Sequence, residues 1–107
     1  MALNKFSDKI VFSILSKINV GYLEITNYQA KVFRFGNPQD DLKAQLKIKN
    51  PNFSFNLIKS GSIGFAESYM RGEFETDNLS NLIEITARNI KIIYKFSGLL
   101  DFPIVNF

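Results

Sequence analysis

Residues 42–51 constrain the fold more than any other stretch, because the hydrophobic period changes there. Leu42, Ala44, Leu46 and Ile48 alternate with Lys43, Gln45, Lys47 and Lys49. A period of two marks a β-strand with one buried face and one solvated face, here a basic one. Asn50-Pro51 follows at once. Asn is a favoured helix N-cap, and Pro suits the first helical position because an N–H there would have no partner. Phe53, Leu57 and Ile58 then form a helical stripe, with Phe55 off it. A half-buried antiparallel strand running straight into an amphipathic helix means that strands and helices share one layered domain.

The flanking segments fit that architecture. Residues 5–18 read as an amphipathic helix. Phe6, Ile10, Ile14 and Ile18 recur at i, i+4, and Val11 and Leu15 widen the stripe, while Lys5, Lys9, Ser13 and Lys17 take other faces. Such a helix either packs on the domain or lies on a membrane surface with snorkelling lysines. Residues 21–26 read as a strand with Leu23 and Ile25 on one face. Asn27, Tyr28 and Gln29 suit a turn, and residues 31–35 form a second strand with Phe33 and Phe35 together. Gly36-Asn37-Pro38 breaks the chain.

Gly61 stops the helix begun at Pro51, and Ser62 caps a short helix over 63–71. Residues 73–76 form a brief strand. Asp77 or Asn78 caps a longer helix striped by Leu79, Leu82, Ile83, Thr86, Ile90 and Ile93, with Glu84 and Arg88 facing each other at i, i+4. Residues 96–107 are an apolar tail or the start of a linker. One domain over 1–107 is expected, with an N-terminal helix over 1–20 and a sheet-and-helix core over 21–95.

Composition narrows the chemistry. The chain has 107 residues, 46% of them hydrophobic, and a net charge of +3. Phe is overused, with 11 against 4 Tyr and no Trp, so either the core is bulky or apolar surface faces a ligand. The charge is too small to mark a nucleic-acid binder. At an anionic membrane each well-placed Lys or Arg contributes about 1 kcal/mol. The sequence has no Cys and no His. Disulfides, thiolate nucleophiles, Cys/His zinc sites and His acid–base chemistry are thereby excluded. No run reaches the roughly 20 apolar residues of a spanning helix. Asp8 and Lys9 interrupt the N-terminus before a signal-peptide core can form. The cytoplasm, with docking on the inner face of the membrane, is the expected location.

The densest motif is Gly61-Ser62-Ile63-Gly64-Phe65-Ala66-Glu67-Ser68-Tyr69-Met70-Arg71-Gly72. Three glycines bracket one short helix and allow close backbone approach. Glu67 lies among Phe65, Ala66, Tyr69 and Met70. A carboxylate in such company finds donors or becomes protonated. It either orients loops through backbone amides or shapes a head-group site. Gly61 and Gly64 also have the spacing of an RNA-clamping loop, but Ser62 and Ile63 bring no cation to hold phosphates. No strand leads into a glycine-rich turn with a following acid, so no nucleotide or S-adenosylmethionine site is evident.

Three blocks carry a family resemblance: Ile48-Lys49-Asn50-Pro51-Asn52-Phe53, the 61–72 run, and Asp77 with Leu79 and Leu82. They resemble the N-terminal region of cyclopropane-fatty-acyl-phospholipid synthases. Gly21-Tyr22-Leu23 and Phe35-Gly36 fit that family's looser strand pattern, so the resemblance extends over roughly 21–90. Two places depart from it. Arg71 stands where the family usually has Asp, and Glu73-Phe74 where it usually has aromatic residues. The family's cofactor loop and active-site residues lie in a C-terminal methyltransferase domain with no counterpart in these residues. The element order is also similar, at the level of fold only, to type-two sterol carrier proteins. That likeness implies an α+β domain, an antiparallel sheet with helices packed on one face, and an apolar groove between the layers.

The resemblance implies a non-catalytic lipid-binding or membrane-docking module, without a cofactor of its own. It would present phospholipid acyl chains to a methyltransferase domain in cis or in trans. Phe53, Leu57, Ile58, Phe65, Tyr69 and Met70 are expected to line the groove, with Glu67 beside the lipid head group. Plain core packing accounts for the same six apolar residues. The rival readings are a dimerisation or interaction scaffold built on the helix from Asn78 and the tail, and a stand-alone lipid carrier. An enzyme in its own right would need a nucleophile–base pair or a metal cluster, and the sequence displays neither.

Overall fold

The computed structural model describes residues 2–97, with side chains from Asn4 to Lys95. Of the tail expected over 96–107, residues 96–97 end the last helix and 98–107 lie outside the described residues. Eight elements follow in order: α1 (Ala2–Leu15), β1 (Tyr22–Thr26), β2 (Val32–Gly36), β3 (Lys43–Ile48), α2 (Phe53–Met70), β4 (Phe74–Thr76), α3 (Leu79–Arg88) and α4 (Ile90–Ser97). The strands form one sheet in the order β2-β1-β3-β4. The class is α+β, with helices against one sheet face. The antiparallel expectation is corrected: β1 pairs antiparallel with β2 but parallel with β3. β3 and β4 are antiparallel, with Ile48 opposite Phe74.

The parallel pair needs no long crossover. Parallel neighbours that are consecutive in sequence require one, but here β2 has already carried the chain back to the start of β1. The segment 37–42 then passes beneath that end and enters β3. Asp40 pins the passage. Its Oδ2 accepts from Gly21 N–H at 2.8 Å and its Oδ1 from Leu42 N–H at 2.9 Å. These two amides hold the Asp40 carboxyl below the usual carboxylate range. Gly36 has φ +87°, and a Cβ there would lie 2.1 Å from the Gly21 carbonyl oxygen. The Gly36-Asn37-Pro38 break is therefore the point where the strand order changes.

The alternation in β3 is realised residue by residue. Ala44, Leu46 and Ile48 are buried, while Lys43, Gln45 and Lys47 face solvent. Leu23, Ile25 and Phe74 join them on the inner face, under Phe53, Leu82 and Ile85. Phe74 anchors the aromatic part of this core. The Phe53 ring meets it edge-on at 5.2 Å and the Phe65 ring lies 5.1 Å away. Truncating such a ring typically costs about 3–5 kcal/mol. α1 covers the β2 side, where Phe12 packs on Phe33 and Phe35 at 4.7 and 5.6 Å. Val11 is the most deeply buried residue of the α1 stripe, whereas Phe6 is exposed. Asp8 ties α1 to α2 by accepting from Ser54 Oγ at 2.6 Å.

Four helix boundaries depart from expectation. α1 runs from Ala2 to Leu15 rather than over 5–18, so Ile18 is buried past its end. Asn50 does not cap α2. Its side chain accepts from Asn52 N–H at 2.8 Å, closing a turn, and α2 starts at Phe53. The stop expected at Gly61 is a kink, with φ 55° and ψ −131°, inside one helical element. The long last helix is two, broken at Asn89, and Ile85 replaces Ile83 as the core residue of α3. Asn78 caps α3 as expected, accepting from Asn81 N–H at 2.9 Å, and the Glu84–Arg88 pair forms at 2.6 Å.

Candidate functional site

Between the sheet and the helices lies an apolar groove of about 220 Å³. Its floor is the sheet, through Leu23, Ile25 and Leu46. α1 contributes Val11, Ile14 and Leu15 to its walls, and the adjoining α2 contributes Phe53, Leu57, Ile58 and Phe65. Leu82 of α3 and Ile90, Ile93 and Tyr94 of α4 close the end. Ser62 and Thr86 also line the groove, and both are exposed, so they mark its mouth.

Among the described residues, the lining contains no carboxylate, lysine or arginine. Its polar side chains are Ser62, Thr86 and Tyr94, and the Thr86 hydroxyl donates to the Leu82 carbonyl at 3.0 Å. Such a lumen attracts hydrocarbon and gives water few partners. Its volume lies below the roughly 300–1,000 Å³ of typical small-molecule sites, which suits a segment of one alkyl chain better than a bulky ring system. What the arrangement can do chemically is bind and orient.

The structure brings together four of the seven residues expected at a lipid site, Phe53, Leu57, Ile58 and Phe65. Glu67, Tyr69 and Met70 are not among the lining residues, and all three are exposed. Gly64 explains this correction. A Cβ at Gly64 would lie 2.2 Å from the Asn56 carbonyl oxygen, so α2 folds closely on itself across the kink. Gly61, Gly64 and Ser68 take the inner face, which turns Glu67 and Met70 outward. Tyr69 keeps one contact inward, its ring 5.6 Å from Phe74.

Beside this motif the acid that gathers donors is Glu73 rather than Glu67. Its side chain accepts from Arg71 Nε at 2.9 Å and from Asn56 Nδ2 at 3.2 Å. Arg71 foremost lowers the Glu73 pKa against a counteracting desolvation, and Ser68 and Asn56 add to the lowering. The buried Ser68 hydroxyl falls outside strict hydrogen-bond geometry but faces that carboxylate. Arg71 and Glu73, both departures from the family pattern, thus satisfy each other.

Sequence reasoning missed the contributions of α1 and α4. The signal was present in the stripes containing Ile14, Ile90 and Ile93, but a stripe reports only that a face is apolar, not what it meets.

The chain is similar to the cyclopropane-fatty-acyl-phospholipid synthases of Escherichia coli strain K12 and of Escherichia coli O6:H1. Each is 44% identical to it over 36 residues, which is 34% of this chain and 9% of the relative's length. No family model matches the chain, and no solved structure matches it.

Proposed function

We propose that this chain is a non-catalytic acyl-chain-binding module of a cyclopropane-fatty-acid-synthase-like system. The observation that carries the reading is the apolar groove, open at Ser62 and Thr86 and lined by side chains from every helix and from the sheet. An alkyl chain buried there leaves water at about 0.8 kcal/mol per methylene, while its polar head stays at the mouth near two hydroxyls. The short similarity to the synthases adds the chemical class, since the name of those enzymes joins a fatty acyl chain to a phospholipid. In this reading the module holds the chain and presents it to a methyltransferase domain in cis or in trans.

Displacement of a fluorescent fatty-acid analogue, kept below its micelle concentration, tests the reading. Saturable one-to-one binding that oleate competes away is the expected result. A chain that binds no such analogue is not an acyl-chain module.

A further inference from the structure

The volume of the groove sets how much hydrocarbon it can hold. An apolar cavity of roughly 150 Å³ takes up one benzene ring, which is about 25 Å³ per carbon. The groove measures about 220 Å³. It therefore has room for about nine carbons of an alkyl chain.

The floor makes that limit firm. It consists of Leu23 and Ile25 on β1 and Leu46 on β3, at 3%, 1% and 4% exposure. Both strands are central: β1 lies between β2 and β3, and β3 between β1 and β4. A strand bonded along both edges cannot step aside without orphaning buried backbone groups. A chain that reaches the sheet has nowhere further to go.

Burial also gives the bound chain a direction. It decreases from that floor, through half-buried Ile14, Leu57, Ile58 and Phe65, to exposed Ser62 and Thr86 at the mouth. Among the described residues no charged side chain lines the groove to receive a head group. Burying an unpaired carboxylate is far costlier than burying a methyl group. The methyl end therefore enters and the polar end stays outside.

We propose that the groove is a length gauge, which takes the terminal carbons of an alkyl chain, about nine of them, methyl end first. The rest of a longer chain is left beyond the mouth. The proposal rests on the acyl-chain reading and deepens it: a long acyl chain is held by its end, with its middle outside this domain and within reach of another.

The test is competition against the fluorescent fatty-acid analogue by saturated fatty acids of increasing length, each below its micelle concentration. Affinity is expected to rise about fourfold per methylene. It is expected to level off at about ten carbons, the carboxyl carbon included. Leu57→Ala removes three carbons from the α2 wall, and should move the levelling point about two carbons longer, because the site relaxes in part. Ile14→Trp should move it shorter. Aggregation of the longer acids in solution would level all three proteins at one length, so a levelling point that neither variant moves overturns the proposal. So does affinity that climbs to the solubility limit without levelling. Both of these outcomes leave the acyl-chain reading standing. Absence of competition at every length removes that reading and the gauge with it. The two variants shift the point in opposite directions, so if circular dichroism shows one of them unfolded, the other still decides.

Discussion

Asn89 and Val20 are bonded to each other in both directions. Val20 N–H donates to Asn89 Oδ1 at 3.2 Å, and Asn89 Nδ2 donates to the Val20 carbonyl at 2.8 Å. The same side chain accepts from Asn19 N–H at 3.0 Å and donates to the Ile85 carbonyl at 2.8 Å. Asn89 is 1% exposed, so these bonds replace water completely. One amide thereby ends α3, fixes the path of the chain into β1 and sets the direction of α4.

Asn89→Leu is expected to cost about 2–4 kcal/mol in denaturant unfolding, because part-buried backbone groups at Asn19 and Val20 lose their partner. Asn89→Asp keeps the acceptor but turns a carboxylate toward two carbonyls, and it too is expected to destabilise. A Leu variant as stable as wild type would show that relaxation or water replaces the network.

Glu73 gives the stability a pH dependence of known sign. Its folded pKa is lowered, first by Arg71, so folding favours the charged form. The contribution is complete above the ordinary value of about 4.5 and is lost as pH falls through the lowered folded value. Glu73→Gln is expected to lower Tm modestly at pH 7, by an amount that shrinks as pH falls through the lowered folded value. Thermal melts of both proteins across that fall in pH check it. A constant difference between them would remove the linkage.

Two glycines of the 61–72 run should respond differently to alanine. Gly64→Ala drives a Cβ to 2.2 Å from the backbone oxygen of Asn56, and backbone cannot step aside as a side chain can. A loss of about 2–3 kcal/mol is expected. At Gly72 a Cβ meets nothing within 4 Å, and only the positive φ of 69° is strained. Gly72→Ala is expected to cost about 1 kcal/mol. Chemical denaturation of the pair measures the order, and the reverse order would contradict the close approach at the kink.

Filling the groove should separate binding from folding. Ile14 is half-buried in the α1 wall, where Ile14→Trp can place its ring in the lumen. Affinity for the fluorescent fatty acid is expected to fall about tenfold, near 1.4 kcal/mol, with Tm within a few degrees of wild type. Unchanged affinity with unchanged Tm would place the ligand elsewhere.

Legibility differed between elements for physical reasons. The alternation in 42–48 fixes which side chains of β3 are inside, since a register slip would expose all of them. The Asn78 cap and the Glu84–Arg88 pair are equally local, and both formed. Phe53, Leu57, Ile58 and Phe65 were legible as groove residues because their stripe faces the sheet. Glu67, Tyr69 and Met70 were not, because their orientation depends on how tightly Gly64 lets α2 turn against Asn56. The break at Asn89 was hidden in an apolar stripe that continues through it, since the partners of its side chain lie about 70 residues earlier in the chain.

By itself, then, the sequence determined the α+β class, the faces of β1, β2 and β3, and the apolar character of each helix, since those follow from contacts within a turn or between strand neighbours. Only the tertiary structure decided that β1 and β3 run parallel, that Asn89 divides α3 from α4, and that Val11 and Ile93 line one groove. Those outcomes depend on side chains far apart in the chain competing for the same buried volume, which a local period cannot encode.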